Sequence, residues 1–153
     1  MIDEVGFQIL KILQTKARIP NVEVARRVNM APSAVLERIR KLESLGYIDG
    51  YEVRLNPKRF NRAMVAFIEV DLRSPAFRKP AAEALARIAA VQEVHFIAGP
   101  DRFLVKVRIA DATELDRLLG EAITTIEGVA QTATHIVLAT TKETANIPIG
   151  EAP

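Results

Sequence analysis

At 153 residues, 49% apolar and 26% charged, the chain is long enough for one domain or two small ones with buried cores. It has no cysteine, which excludes disulfides, thiolate metal sites and thiol nucleophiles and fits a reducing cytoplasm. No secretory leader and no run approaching ~18 apolar residues occurs, so a cytoplasmic protein without a membrane partner is expected.

The first helix is marked by Val5, Ile9, Leu10, Ile12 and Leu13 at three- and four-residue steps, with Asp3 as its cap. Pro20 stops its continuation. Asn21 is expected to cap a short second helix carrying Val24, Ala25 and Val28. Asn29 then suits a left-handed turn. Pro32 suits the first turn of a third helix, which runs to about Leu45 with Val35, Ile39 and Leu42 on one face. Gly46 ends it.

From Tyr51 the periodicity changes. Residues 51–55 (YEVRL) read as a short strand broken by Asn56-Pro57. Residues 63–73 read as a strand, with Met64, Ala66, Ile68 and Val70 on one face. A helix is expected from Pro75 to about Ala90, with Ala82, Leu85, Ile88 and Ala89 inward. Strands follow at 91–99 and 102–110, the latter alternating Phe103, Val105, Val107 and Ile109 with Lys106 and Arg108. Leu115, Leu118, Leu119, Ile123 and Ile126 mark another helix, which Gly128 ends, and 129–141 reads as the last strand. The order β-α-β-β-α-β predicts an antiparallel sheet with both helices on one face, the ferredoxin-like arrangement. The expected division is an α+β chain: a helical unit over 1–50, a strand and linker over 51–62, the sheet unit over 63–141, and a loose tail over 142–153.

The net charge of +2 hides an asymmetry. Residues 1–62 carry 12 Lys and Arg against 7 Asp and Glu, a net +5, and the remainder carries 9 against 12, a net −3. A basic N-terminal third points to a polyanionic partner for that part. Its second and third helices have the layout of a helix-turn-helix over about Pro20–Gly46: a small residue, Ala25, inside the first; Asn29 at the turn; Val35 as the apolar anchor of the second. With Val35, Ile39 and Leu42 inward, Ser33, Glu37, Arg40, Lys41 and Ser44 lie outward with Arg38 at the border. Arg38, Arg40 and Lys41 are candidates for phosphate contacts on double-stranded DNA, Ser33 and Glu37 for the base edges, and Ala34 is a further DNA-binding candidate. Alternatively, Glu37 pairs with Lys41 four residues on, and the whole is a three-helix bundle with an ordinary solvated face.

Over nearly its whole length the chain resembles the Lrp/AsnC family of transcription regulators. The likeness is carried by KILQTKARIPNVEVARRV (11–28), APSAVLERIRKLESLGYIDGY (31–51), LNP (55–57), VQEVHFIAGPDRFLVKV (91–107) and GVAQTATHIVL (128–138). The resemblance implies a winged helix-turn-helix joined to a βαββαβ sensing domain. It further implies homodimers pairing through their sheets, assembly of dimers into octamers, and a small-molecule effector such as an amino acid. In the family the turn here reading Gly99-Pro100-Asp101-Arg102-Phe103 lines the effector pocket, and Thr132 and Thr134 on the last strand are further candidates.

Several positions depart from the family pattern. Gly6 stands where Asp is usual, and Asn29 where the turn Gly is usual. Ala31 replaces a Ser that would cap the third helix, and Arg102 replaces an Asp. An Asp there suits a ligand ammonium, whereas Arg102 favours a carboxylate, so an altered effector preference, or none, is expected.

Other chemistry is set aside. His95 and His135 fall on strands expected at opposite edges, so no shared metal is expected. No catalytic residue and no cofactor is assigned: Ser33 and Ser44 lack a nearby His base, and no phosphate-loop or dinucleotide fingerprint occurs. The alternative to a regulator is an enzyme resembling sirohaem decarboxylases, which share the two-domain plan. Their usual Arg-Arg-Ile-Gly-type stretch is absent at Tyr47-Ile-Asp-Gly-Tyr51. A third reading is an architectural DNA-binding protein with little sequence preference.

Overall fold

Helix α1 (Glu4–Thr15) begins where the Asp3 carboxylate accepts the Gly6 N–H at 2.9 Å. Helix α2 spans Asn21–Val28 and α3 spans Pro32–Ser44 in this computed structural model, which describes residues 2–150. The cap of α2 is Pro20 rather than Asn21, whose side chain makes no capping bond; Pro20 is held extended at φ −61° and ψ 138°, and helical geometry starts with Asn21 itself. Asn29 adopts the left-handed conformation at φ 53°. That turn lets α3 reverse onto α2, and Ile9, Val24 and Val35 from the three helices become fully buried together. Ala31 sits at the cap of α3 with no side-chain bond, as the sequence implies. Ala31→Ser is therefore expected to stabilise this unit by about 0.5–2 kcal/mol, read as a rise in its thermal midpoint.

Residues 51–55 form no strand. Tyr51, Val53 and Leu55 are exposed, and an alternating run without a ladder partner has nothing to pair with. Tyr51 instead donates its hydroxyl to Glu43 on α3 at 2.8 Å. Burial and the Glu43 carboxylate push the phenol up to about 12.

The chain separates into two units, residues 1–54 with 142–153, and residues 55–141. The tail thus returns to the helical unit. Gln14 on α1 donates to the Ile147 carbonyl at 3.0 Å and accepts the Ile147 N–H at 3.2 Å, so a segment expected to be loose is held at this point. Residues 151–153 of that tail lie outside the described residues.

The second unit carries strands β1 (Met64–Leu72), β2 (Val91–Ile97), β3 (Arg102–Ile109) and β4 (Val129–Ile136), in the order β2-β3-β1-β4 with every pair antiparallel. This is the expected ferredoxin-like sheet. Helices α4 (Arg78–Ala86) and α5 (Ala112–Arg117) supply Ala81, Leu85 and Leu115 to a core shared with Ile68, Val70, Val105 and Ile109. Helix α4 follows a 3-10 turn at Pro75–Phe77 and stops four residues before the expected end, leaving Ala89 exposed. Successive tight turns, with Ile88 N–H on Leu85 and Val91 N–H on Ile88, deliver the chain into β2. After α5 the helix widens into a π-turn at Leu118–Ile123. Strand β4 ends five residues early: its last paired residue, Ile136, lies opposite Ala66, and in that register residues 139–141 would run past the start of β1 at Met64.

Candidate functional site

The helix α3 presents two faces. Val35, Ile39 and Leu42 are buried, while Ser33, Glu37, Arg40 and Lys41 are exposed and Ala34 is half-buried at the border. This is the division read from the sequence. Among the described residues no ion pair joins Glu37 to Lys41, so the alternative pairing is not formed. Arg40 and Lys41 form no ion pair with any described residue and stand as solvated cations on the outer face.

Arg38 behaves differently. Its Nη1 lies 2.7 Å from both carboxylate oxygens of Asp3. Its guanidinium is engaged on the cap of α1 rather than extended into solvent. The Arg38 guanidinium, with the Gly6 N–H, holds the Asp3 carboxyl below its ordinary value. Sequence reading missed this pair because its members lie 35 positions apart.

The basic excess also redistributes. Lys58, Arg59 and Arg62 belong to the sheet unit and Glu143 to the helical unit, so residues 1–54 with 142–153 carry 10 Lys and Arg against 9 Asp and Glu. The electrostatic case for DNA therefore rests on the local surface of α3 rather than on the unit's net charge.

Gly99, with φ 119°, Pro100 and Asp101 lie in the turn between β2 and β3, and Arg102 and Phe103 open β3. Arg78 donates to Asp101 at 2.9 Å and lies 3.9 Å over the Phe96 ring. Phe103 is buried and meets Phe96 edge-on at 5.3 Å. Opposed residues in a ladder share a face. Val70 opposes both Phe103 and Thr132, and Ile68 opposes Thr134, so those three candidates lie on the helix-covered face. Asp71 opposes Arg102 and Gln131, one rung along, on the open face. The sequence candidates are thus divided between the two sides of the sheet.

On the open face the Arg102 guanidinium is bound by Asp71 and Glu69. Gln131 donates to Asp71 at 2.7 Å, and His135 lies 3.4 Å from Glu69. Asp71, with Gln131 a lesser contributor, keeps company with Arg102 so closely that its carboxyl is held low and the guanidinium is held charged. Two carboxylates thus already engage the Arg102 guanidinium, and the cluster of Glu69, Asp71 and Arg102 is net negative. His95 pairs with Glu93 at 3.1 Å on β2. The two histidines stand on opposite edge strands, and no group of three metal-ligating side chains occurs among the described residues. No helix among the described residues is long and apolar enough to cross a membrane.

Comparison with known proteins supplies the frame for both surfaces. Residues 2–49 match the winged helix-turn-helix DNA-binding model, and residues 65–147 match the Lrp/AsnC ligand binding domain. The leucine-responsive regulatory proteins of Escherichia coli K12 and Klebsiella pneumoniae are each 33% identical over 150 residues, covering 97% of this chain and 92% of theirs. A Neisseria meningitidis transcriptional regulator solved with L-methionine superposes with a TM-score of 0.92 at 26% identity, over 97% of both chains. Escherichia coli AsnC superposes at 0.89 with 26% identity, over 97% of this chain and 99% of that one. These relatives are regulators, and the decarboxylase-like reading is withdrawn. The chain belongs to the Lrp/AsnC family of DNA-binding transcription regulators, with an N-terminal winged helix-turn-helix and a C-terminal ligand-binding domain.

Proposed function

We propose that this regulator reads a specific operator through α3 and that a small effector, an amino acid, sets its occupancy of DNA. Arg40 and Lys41 hold phosphates, and Ser33, Ala34 and Glu37 face the base edges. The observation that carries this assignment is the two-faced α3, with its solvated cations opposite a fully buried Val35. The protein acts in the cytoplasm as a homodimer paired through the sheets of its sensing domains, and dimers join into an octamer, which would match a pseudo-palindromic operator.

The effector site is assigned to the turn at Gly99, Pro100, Asp101 and Arg102 on the open side of the sheet; Phe103, Thr132 and Thr134, on the helix-covered side, support the turn and β4 from beneath. The similarity to a regulator solved with L-methionine supports an amino-acid ligand. The Glu69–Asp71–Arg102 cluster supports a preference within that class. With its guanidinium occupied and a net negative charge, it favours a ligand ammonium over an additional carboxylate. Calorimetry of the full-length protein against a panel of amino acids tests this. Neutral or basic amino acids are expected to bind at least tenfold more tightly than acidic ones, about 1.4 kcal/mol. An acidic amino acid as the strongest ligand, with its affinity lost in Arg102→Ala, would overturn the assignment.

A further inference from the structure

The engagement of Arg38 has a mechanical consequence. Arg40 and Lys41 project into solvent, whereas Arg38 is half-buried and turns back toward the start of α1. Its Nη1 is equidistant, at 2.7 Å, from the two Asp3 oxygens. Asp3 in turn is fixed to its own helix, because Oδ1 accepts the Gly6 N–H at 2.9 Å. One carboxylate thus ties the first turn of α1 to the middle of α3.

Gly6 makes room for this. A Cβ built there would stand 3.2 Å from Asp3 Oδ1 and 2.5 Å from Ile2 Cγ1. Glycine inside a helix costs about 1 kcal/mol relative to alanine. Here the bare backbone leaves room chiefly for the Ile2 side chain, with the Asp3 carboxylate just beyond it.

We infer that Arg38 is a positioning residue for DNA recognition, clamped by Asp3 so that α3 is held at a set orientation on α1, and is not itself a phosphate contact. This rests on the reading that α3 enters DNA. It makes operator affinity depend on Asp3, a residue outside the helix-turn-helix. The clamp is exposed, so its contribution to global stability is small; its effect is on where Ser33, Glu37, Arg40 and Lys41 point.

Quantitative duplex binding across a salt series tests the inference on the full-length protein. The variants are Asp3→Ser, Arg38→Ala, the double variant, and Arg40→Ala as the phosphate-contact control. Serine keeps an acceptor for the Gly6 N–H but removes the charge, which separates capping from clamping. A phosphate contact lowers the slope of log affinity against log salt by about one, and a positioning residue does not. Asp3→Ser and Arg38→Ala are each expected to weaken operator binding about tenfold with the slope unchanged. The double variant is expected to be no worse than either single, the mark of one shared interaction. Arg40→Ala is expected to reduce the slope. If Arg38→Ala reduces the slope by about one, or if Asp3→Ser leaves affinity unchanged or tightens it by freeing Arg38, the inference fails while the DNA reading stands. If the wild-type protein binds no duplex, the DNA reading fails first and takes the clamp's role with it. Helical circular dichroism recorded on each variant confirms that folded protein is compared.

Discussion

Gly128→Ala is expected to destabilise the sheet unit by about 2–5 kcal/mol, through a left-handed backbone that disfavours a side chain and through overpacking. Gly128 has φ 88° and is buried. A Cβ at this position would lie 2.1 Å from Phe77 Cγ, 2.2 Å from its Cβ and 2.5 Å from its Cδ1. Those are the root and ring of a half-buried side chain, not a flexible end. The carbonyl of Gly128 also accepts the Arg73 N–H at 2.8 Å, so the backbone cannot move away without breaking that bond. For a unit of this size the thermal midpoint should fall by on the order of 10 °C or more. Phe77→Ala in the same background removes the obstruction but not the positive φ. The double variant is therefore expected to be more stable than the two single losses imply, by at least ~0.5 kcal/mol. Strict additivity would show that Phe77 is not the obstruction.

Val35→Asp is expected to abolish DNA binding while the sheet unit stays folded. Val35 is fully buried between α1, α2 and α3. An unpaired carboxylate there costs several kcal/mol, comparable with the whole stability of a helical unit this small. The core of the sheet unit draws on a separate set of residues, from Ala66 to Val129, and contains none from α1, α2 or α3. Circular dichroism should lose helical signal in one early transition and retain a second. Burial raises the introduced carboxyl's pKa above its unfolded value of ~3.9, because the neutral form is favoured inside. The penalty is thus full at neutral pH and shrinks as pH falls toward the unfolded value. Retained operator binding at pH 7 would contradict the assignment of Val35 as the anchor of α3.

Much of this organisation is legible in the residues because it is local or periodic. The alternation of Phe103, Val105, Val107 and Ile109 marks β3, and each of the four is buried. Asn29 announces the left-handed turn between α2 and α3, and Ala31 the uncapped start of α3. What escaped depends on partners distant in sequence. Residues 139–141 stay strand-like in composition but, in the β1–β4 register, would run past the start of β1. Residues 51–55 alternate correctly but find no partner strand among the described residues. Arg102 looks like a free cation until the register places Asp71 opposite it, 31 residues away. The same register puts Arg102 and Phe103 on opposite faces, so neighbours in one turn do not belong to one surface. Arg38 reads as a border cation of α3, and only the folded chain sets Asp3 against it. In each case the residue type was correctly noticed and its role was decided by a three-dimensional neighbour.

The most direct test of the account is equilibrium binding of the full-length protein to duplexes from its own upstream region and to scrambled duplexes, across a salt series. The account predicts a linear fall of log affinity with log salt on both, and at least ~10³-fold tighter binding to one upstream sequence at physiological salt. It also predicts that Arg40→Ala and Lys41→Ala each lower the slope by about one. Equal affinity for every duplex would contradict a sequence-specific regulator and leave an architectural DNA-binding protein in its place.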